Sequence, residues 1–299
     1  MNEWPRLKIV LLDAPSNLGL RPPEDGAAPG CYKLPWAVRD HGLLSVLAAE
    51  DGGAVVPPRY RAAWSPGDGD RNGDAIAAYS LRLADRVGAL IDQGTLPIVL
   101  GGDCSILVGN SLALARRGRH GLIFLDAHSD FRHPGNAEAI GAAAGEDLAI
   151  VTGRGDPRLI DLEGRRPYVR EDDVHVIGVR PNDDYIDELE ETAITVTPSD
   201  EVNEGNVVAV AEAAVETVTR STTGFWVHLD LDVVDASEMP AADCPEPEGI
   251  SFANLTTLLR HFLASPRCVG MEMTIYDPDL DPDGTVAGGI VRCLRDAIL

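Results

Sequence analysis

The chain of 299 residues is 44 % hydrophobic, enough to bury a sizeable core, and it carries a formal net charge of -23. A chain this acidic repels phosphate backbones and anionic membrane surfaces, which argues against nucleic-acid and membrane partners. No Pro/Ser-rich or charged tract divides it, so residues 1–299 read as a single domain.

Taken in chain order, the apolar pattern predicts a strand over 7–12 and a short helix over 41–50. A longer helix over 74–93 follows, with Ile76, Ala77, Leu81, Leu83, Ala84, Val87, Leu90 and Ile91 at helical spacing. Next come a strand over 97–100 closed by Gly101-Gly102, a helix over 105–117, and strands over 122–125 and 174–179. The remaining elements are a core helix over 207–221, a strand over 225–229, a helix over 252–265, a strand over 269–275 and a helix over 285–299. Strands of continuous apolar character separated by helices belong to a mainly parallel sheet covered on both faces. The expected class is therefore α/β, a single-domain three-layer α/β/α sandwich with a central, mainly parallel sheet. Segments 13–38, 51–71 and 131–148 are long, Gly/Pro-rich and weakly periodic, as lids or pocket walls are.

The N-terminus has no basic start leading into a long apolar run, and no stretch approaches the ~20 apolar residues of a membrane helix. The five cysteines, Cys31, Cys104, Cys244, Cys268 and Cys293, are odd in number and scattered. They read as reduced thiols, and the expected location is cytoplasmic.

Ligands of parallel sheets sit outside the carboxyl ends of the strands, so the residues after each strand matter most. Strand 97–100 runs into Gly101-Gly102-Asp103-Cys104-Ser105, and strand 122–125 into Asp126-Ala127-His128-Ser129-Asp130. Strand 225–229 runs into Asp230-Leu231-Asp232-Val233-Val234-Asp235. In extended backbone residues i, i+2 and i+4 share a face, so Asp126, His128 and Asp130 converge, and Asp230 and Asp232 share a face likewise. A lone Asp at a strand end is usually a cap or turn residue. Four aspartates brought together repel one another, and divalent cations remove that repulsion. An oxygen-rich site with a histidine suits Mn²⁺ or a similar ion. His228 lies on the face of Asp230 and either contacts this site or, the commoner case, is a buried histidine satisfied by backbone. His41, His120, His175 and His261 sit in helical or loop contexts and are read as having no chemical role.

Asp-Ala-His-x-Asp, a later Asp-x-Asp-x-x-Asp and an upstream Gly-Gly-Asp-x-Ser together resemble the arginase/agmatinase/formiminoglutamase (ureohydrolase) family. Residues 14–30 and 34–43 look like its N-terminal region, and the resemblance covers nearly the whole chain. It implies an arginase-like α/β fold and a dinuclear manganese centre. The implied reaction is cleavage of a C–N bond of a linear guanidine or amidine compound, with a metal-bridging hydroxide as nucleophile. Cys104, Asp126, Asp130 and Asp230 would hold one metal and Asp126, His128, Asp230 and Asp232 the other, with Asp126 and Asp230 bridging. Asp130 would also pass a proton to the leaving nitrogen. Asp103 and Asp235 either orient ligands or hold turns. A small-molecule guanidine or amidine substrate and a homo-oligomer, trimer or hexamer, go with the family.

Several positions depart from its pattern. Cys104 stands where most of the family has a metal-binding histidine; it is a softer ligand that favours Zn²⁺ or Ni²⁺, or it leaves that site partly occupied or empty, or it is a small buried residue. Arg132 takes the place of an Asn that reads the amino-acid end of arginine, and is either a carboxylate clamp or a solvent-facing charge. His133 is the one nearby candidate for the family's proton-shuttling histidine, or else an exposed loop residue. Ile275 falls where arginases grip the guanidinium with Glu, while Glu272 lies three residues upstream on the other face. Asp277 or Glu248 would then supply the replacement carboxylate. Two rival readings are a deacetylase-like amide hydrolase and an inactive or metal-poor homologue acting as a binding or regulatory subunit.

Overall fold

The computed structural model describes residues 8–137 and 139–299. Leu7, where the first strand is expected to begin, the other N-terminal residues up to it, and Glu138 in the 131–148 loop lie outside the described residues.

Eight strands are described: β1 Lys8–Asp13, β2 Glu50–Ala54, β3 Thr95–Leu100, β4 Gly121–Leu125, β5 Val174–Ile177, β6 Thr195–Thr197, β7 Phe225–Asp230 and β8 Cys268–Thr274. They form one sheet in the order β2-β1-β3-β8-β7-β4-β5-β6, and every pairing is parallel. Side chains alternate between two apolar layers. Leu11, Ile98, Leu125, Val227 and Met271 face the helices Val207–Thr219, Phe252–Ala264 and Thr285–Ile298. Leu12, Val99, Leu122, Phe124 and Trp226 face the helices Gly73–Asp92, Ile106–Ala115 and Asp147–Val151. The result is the expected three-layer α/β/α arrangement. The central strands β4 and β7 are buried along their whole length, which is why they read as unbroken apolar runs.

The sheet edges differ from expectation. In place of one helix over 41–50, the chain forms Leu34–Asp40 and Leu43–Val46, broken at Gly42 with φ 83°, and Glu50 already begins β2. The β2 sequence EDGGA has no apolar alternation because an edge strand with exposed faces needs none. At the other edge β6 has only three residues. The short helices Asp147–Val151, Ile186–Glu190 and Ser199–Glu204 were likewise not expected from the pattern.

Lateral register places the site. In β4, β7 and β8, Phe124 lies beside His228 and His228 beside Glu272, while Asp230 lies beside Thr274. Parallel direction brings the carboxyl ends of β3, β8, β7 and β4 to one rim of the sheet. There the Gly-Gly turn after β3 passes close to the first loop: Asp103 N–H donates to Ser16 O at 3.1 Å, and Ile275 N–H donates to Gly102 O at 2.7 Å. A Cβ on Gly102 would collide with the Ser16 carbonyl oxygen. Replacing Gly102 by Ala should therefore cost about 2 kcal/mol or more, read as a lowered Tm in thermal unfolding; an unchanged Tm would mean that the Ser16 loop moves aside freely.

Candidate metal centre

The polar clusters after β3, β4 and β7 meet at this rim. Ligand-type atoms of Asp126, His128 and Asp130, of Asp126, Asp230 and Asp232, and of Cys104, His228 and Asp230 each lie within 4.8 Å of one another. Backbone donors fix several of these side chains. Asp126 Oδ1 accepts from His128 N–H at 2.7 Å, Asp230 Oδ1 from Asp232 N–H at 2.8 Å, and Asp232 Oδ1 from Ala127 N–H at 3.1 Å. The chain then turns sharply: Asp130 has φ 44°, a left-handed conformation uncommon outside glycine and of the kind found at functional sites. Cys104 Sγ–H donates to Asp230 Oδ2 at 2.8 Å and lies 3.0 Å from Thr274 Oγ1.

Charge is badly balanced here. Burial, then the neighbouring aspartates, push the carboxyls of Asp126, Asp230 and Asp147 well above the usual range. Burial also raises Asp130, to about 6. Burial disfavours a charged His128, but hydrogen bonds and attraction to Asp126 and Asp232 outweigh it and raise its pKa. Asp232, 3.1 Å from His128 Nδ1, is held low despite its burial. Asp126 Oδ2 and both carboxylate oxygens of Asp147 are buried without a hydrogen-bond partner. Buried carboxylate oxygens without donors cost several kcal/mol in an apolar surround (~2–7 kcal/mol for a polar group), and divalent cations are the partners that fit a donor set of carboxylates, imidazole and thiol.

The cluster forms the floor of a cavity of about 320 Å³. His128, Asp130, Asp230 and Asp232 line it, together with Arg21, Arg132, Asp183, Asp243 and Ile275. Cys104 and Asp126 lie beneath, fully buried or nearly so.

The arginase family model matches residues 33–298. The chain belongs to the arginase family. It is 30 % identical over 216 residues to an arginase of Brevibacillus brevis, spanning 72 % of each chain. To an arginase of Staphylococcus aureus (strain COL) it is 28 % identical over 292 residues, 93 % of each chain. The solved arginase of Bacillus caldovelox superposes with a TM-score of 0.86 at 26 % identity over 98 % of each chain.

In this arginase-family protein the remaining expected residues fall in different places. Arg132 lines the cavity, its Nε 3.8 Å from Glu146 Oε1. His133 does not line it: Nε2 lies 2.9 Å from Glu188 Oε1, and Nδ1 accepts from Gly135 N–H. Glu248 is exposed on a turn with φ 63°, also away from the lining. Asp277 caps the short helix Pro278–Leu280 and accepts from Gly30 N–H, so its carboxylate tethers the N-terminal loop rather than facing the cavity. Asp103 accepts from Ser16 Oγ and Ser105 N–H, and Asp235 from Ser237 and Gly249, both as turn residues. His228 is held by Glu272, not by backbone, with Nδ1 2.6 Å from Oε1. Asp147 gave no signal in the sequence, and Glu272 stood out there only for lying off the guanidinium position, with nothing to indicate its contact with His228.

One wall of the cavity rests on a second acidic group. Glu146 Oε1 accepts from Gly141 and Ala142 N–H and so fixes the segment that supplies the wall residues Ala142, Ala144 and Gly145. Asp70 is pressed against it; burial and the Glu146 charge raise its carboxyl to about 9 from an ordinary 3.8. Between those values the folded protein keeps a proton that the unfolded chain releases, so this group's contribution to stability falls as pH rises through that window. Asp70→Asn should therefore leave stability nearly unchanged close to pH 4 and stabilise increasingly toward pH 8, by up to about 1.4 kcal/mol per pH unit. Denaturant unfolding at about pH 6 and about pH 8 checks this; an equal difference at both would refute the protonated Asp70.

Proposed function

We propose that this protein is a metal-dependent hydrolase that cleaves a C–N bond of a linear guanidine or amidine compound. The convergence of Asp126, His128, Asp130, Asp230 and Asp232 on the floor of one cavity carries this reading. The arginases named among its relatives agree with it. Asp126, His128, Asp230 and Asp232 would hold one divalent ion, and Asp126, Asp130, Asp230 and Cys104 a second. Mn²⁺ is the first candidate, with Zn²⁺ or Ni²⁺ at the position that Cys104 softens. When bound, the ions supply the positive charge that lets water act as a nucleophile near neutral pH.

The side chains do the rest. Asp130 borders both the ligand cluster and the open cavity, so its carboxylate can take a proton from the attacking water and hand it to the leaving nitrogen. Arg132 and Arg21 bring positive charge to a cavity otherwise lined by Asp183, Asp184 and Asp243. That polarity suits a substrate with a cationic amidine or guanidine group and a carboxylate at its other end. Ile275, at the position where arginases grip guanidinium with Glu, offers only an apolar side chain, which favours a substrate other than arginine. His133, engaged with Glu188, is not the proton carrier in this reading. A cytoplasmic location and a trimer or hexamer accompany the family resemblance.

The test is turnover of a panel of guanidino and amidino acids, paired with the same compounds lacking the carboxylate. The acids should be the better substrates. Arg132→Met should raise KM for the acids by about 10–100-fold, the worth of a charged hydrogen bond, and leave the decarboxylated analogues unaffected. Asp126→Asn should lower activity by at least about 100-fold and reduce metal content in parallel; full metal and full turnover in that variant would overturn the assignment.

A further inference from the structure

Behind the cavity floor lies a polar row that the reaction as described does not use. His228 is completely buried, stacked on Phe124 with ring centroids 4.5 Å apart and planes 15° apart. On one side its Nδ1 meets Glu272 Oε1 at 2.6 Å, and Glu272 is held in turn by Asn110 Nδ2. The ring is thus fixed in position, and with Glu272 ionised Nδ1–H donates to the carboxylate and leaves the Nε2 lone pair free. The opposite nitrogen, Nε2, has no hydrogen-bond partner. The nearest carboxylate to it, Asp147 Oδ2, is 3.8 Å away, beyond hydrogen-bond range. A ring nitrogen of His228 also lies within 4.8 Å of Cys104 Sγ and an Asp230 oxygen, which are equally close to each other.

A buried imidazole with one nitrogen tied to a carboxylate and the other bare is the arrangement of a metal-ligating histidine. Tetrahedral zinc bound to sulfur, nitrogen and oxygen holds its ligand atoms about 3.3–3.8 Å apart, given bonds of about 2.0–2.3 Å. Small side-chain shifts within the observed cluster reach that spacing. Cys104 then loses its proton to solvent as the ion binds, and its contact with Asp230 is replaced by shared ligation. Asp147, whose two oxygens have no hydrogen-bond partner, is the nearest carboxylate able to complete the set.

We propose that His228 is a direct metal ligand through Nε2, and that Cys104, His228 and Asp230 form a sulfur- and nitrogen-bearing site that takes Zn²⁺ or Co²⁺ in preference to Mn²⁺. Resting on the metal-centre reading above, the proposal changes its ligand set: the histidine of the family pattern that this chain lacks at position 104 is supplied from β7, held in place by Glu272. The expected centre is therefore mixed, with a soft ion at the Cys104 end and a harder ion at the Asp126–His128–Asp232 end.

The experiment is Co²⁺ titration of the metal-stripped full chain, followed by optical absorption and by metal analysis. The parent should bind one equivalent with a thiolate-to-cobalt charge-transfer band in the near ultraviolet. Cys104→Ser should abolish the band, His228→Asn should weaken the band-forming site by about 100-fold, and Glu272→Gln by about 10-fold. In case the buried variants unfold, X-ray absorption of the zinc-loaded His128→Asn protein gives a second reading, because there His228 is the nearest remaining imidazole. Sulfur plus imidazole scattering is expected. An all-oxygen shell, or parent-like cobalt affinity in a folded His228→Asn protein, would overturn the proposal while leaving the hydrolase intact. A sulfur- and imidazole-bound ion in a protein that turns over none of the amidine panel would do the reverse.

Discussion

Burying several carboxylates side by side is the constraint around which this molecule is organised. Asp126, Asp130, Asp147, Asp230 and Asp232 gather at the carboxyl ends of adjacent parallel strands with little or no solvent contact. As anions without a cation they oppose folding, and the raised carboxyls of Asp126, Asp147 and Asp230 express that opposition. The apolar layers on both faces of the sheet hold the strands so firmly that the acids cannot separate. Stability gained in the core is thereby spent on keeping a high density of negative charge where a cation can enter from one cavity.

The parts of the fold that were legible in the sequence are those where burial dictates composition. β3, β4 and β7 lie in the middle of the sheet, need apolar residues on both faces, and appear as unbroken runs that end where the chemistry begins. The same periodicity that puts Asp126, His128 and Asp130 on one side of an extended chain was enough to find the floor of the cavity. The edges were illegible for the opposite reason: β2 faces solvent and β6 has three residues, so neither needs an apolar signature.

Residues that act across strands were harder to read. Glu272 follows Met271 in an apolar strand, and nothing local says that its carboxylate meets His228 from the neighbouring one; that contact exists only because β7 and β8 align in a particular register. Asp147 sits at the start of a short helix and reaches the site through the loop that precedes it. Conversely, Asp277 and Glu248 look suitable by type and distance along the chain, yet turn geometry directs one to the N-terminal loop and the other to solvent. Ile275 adopts φ 73°, unusual for a β-branched residue, and its backbone is pinned by Gly102 while its carbonyl accepts from Cys31 Sγ–H.

The row Phe124–His228–Glu272 has a consequence for how the sheet assembles. Parallel strands of uniform apolar character can slide past one another by two residues and still bury the same kind of surface. Here a two-residue slide between β7 and β8 would set Glu272 beside Trp226 or Asp230 and His228 beside Thr274 or Gly270, parting the pair and leaving a buried acid without its imidazole. A polar pair that adds little to the depth of the native well thus widens its separation from near-miss alignments, and the alignment it selects is the one that brings Asp230 and Cys104 to the same point.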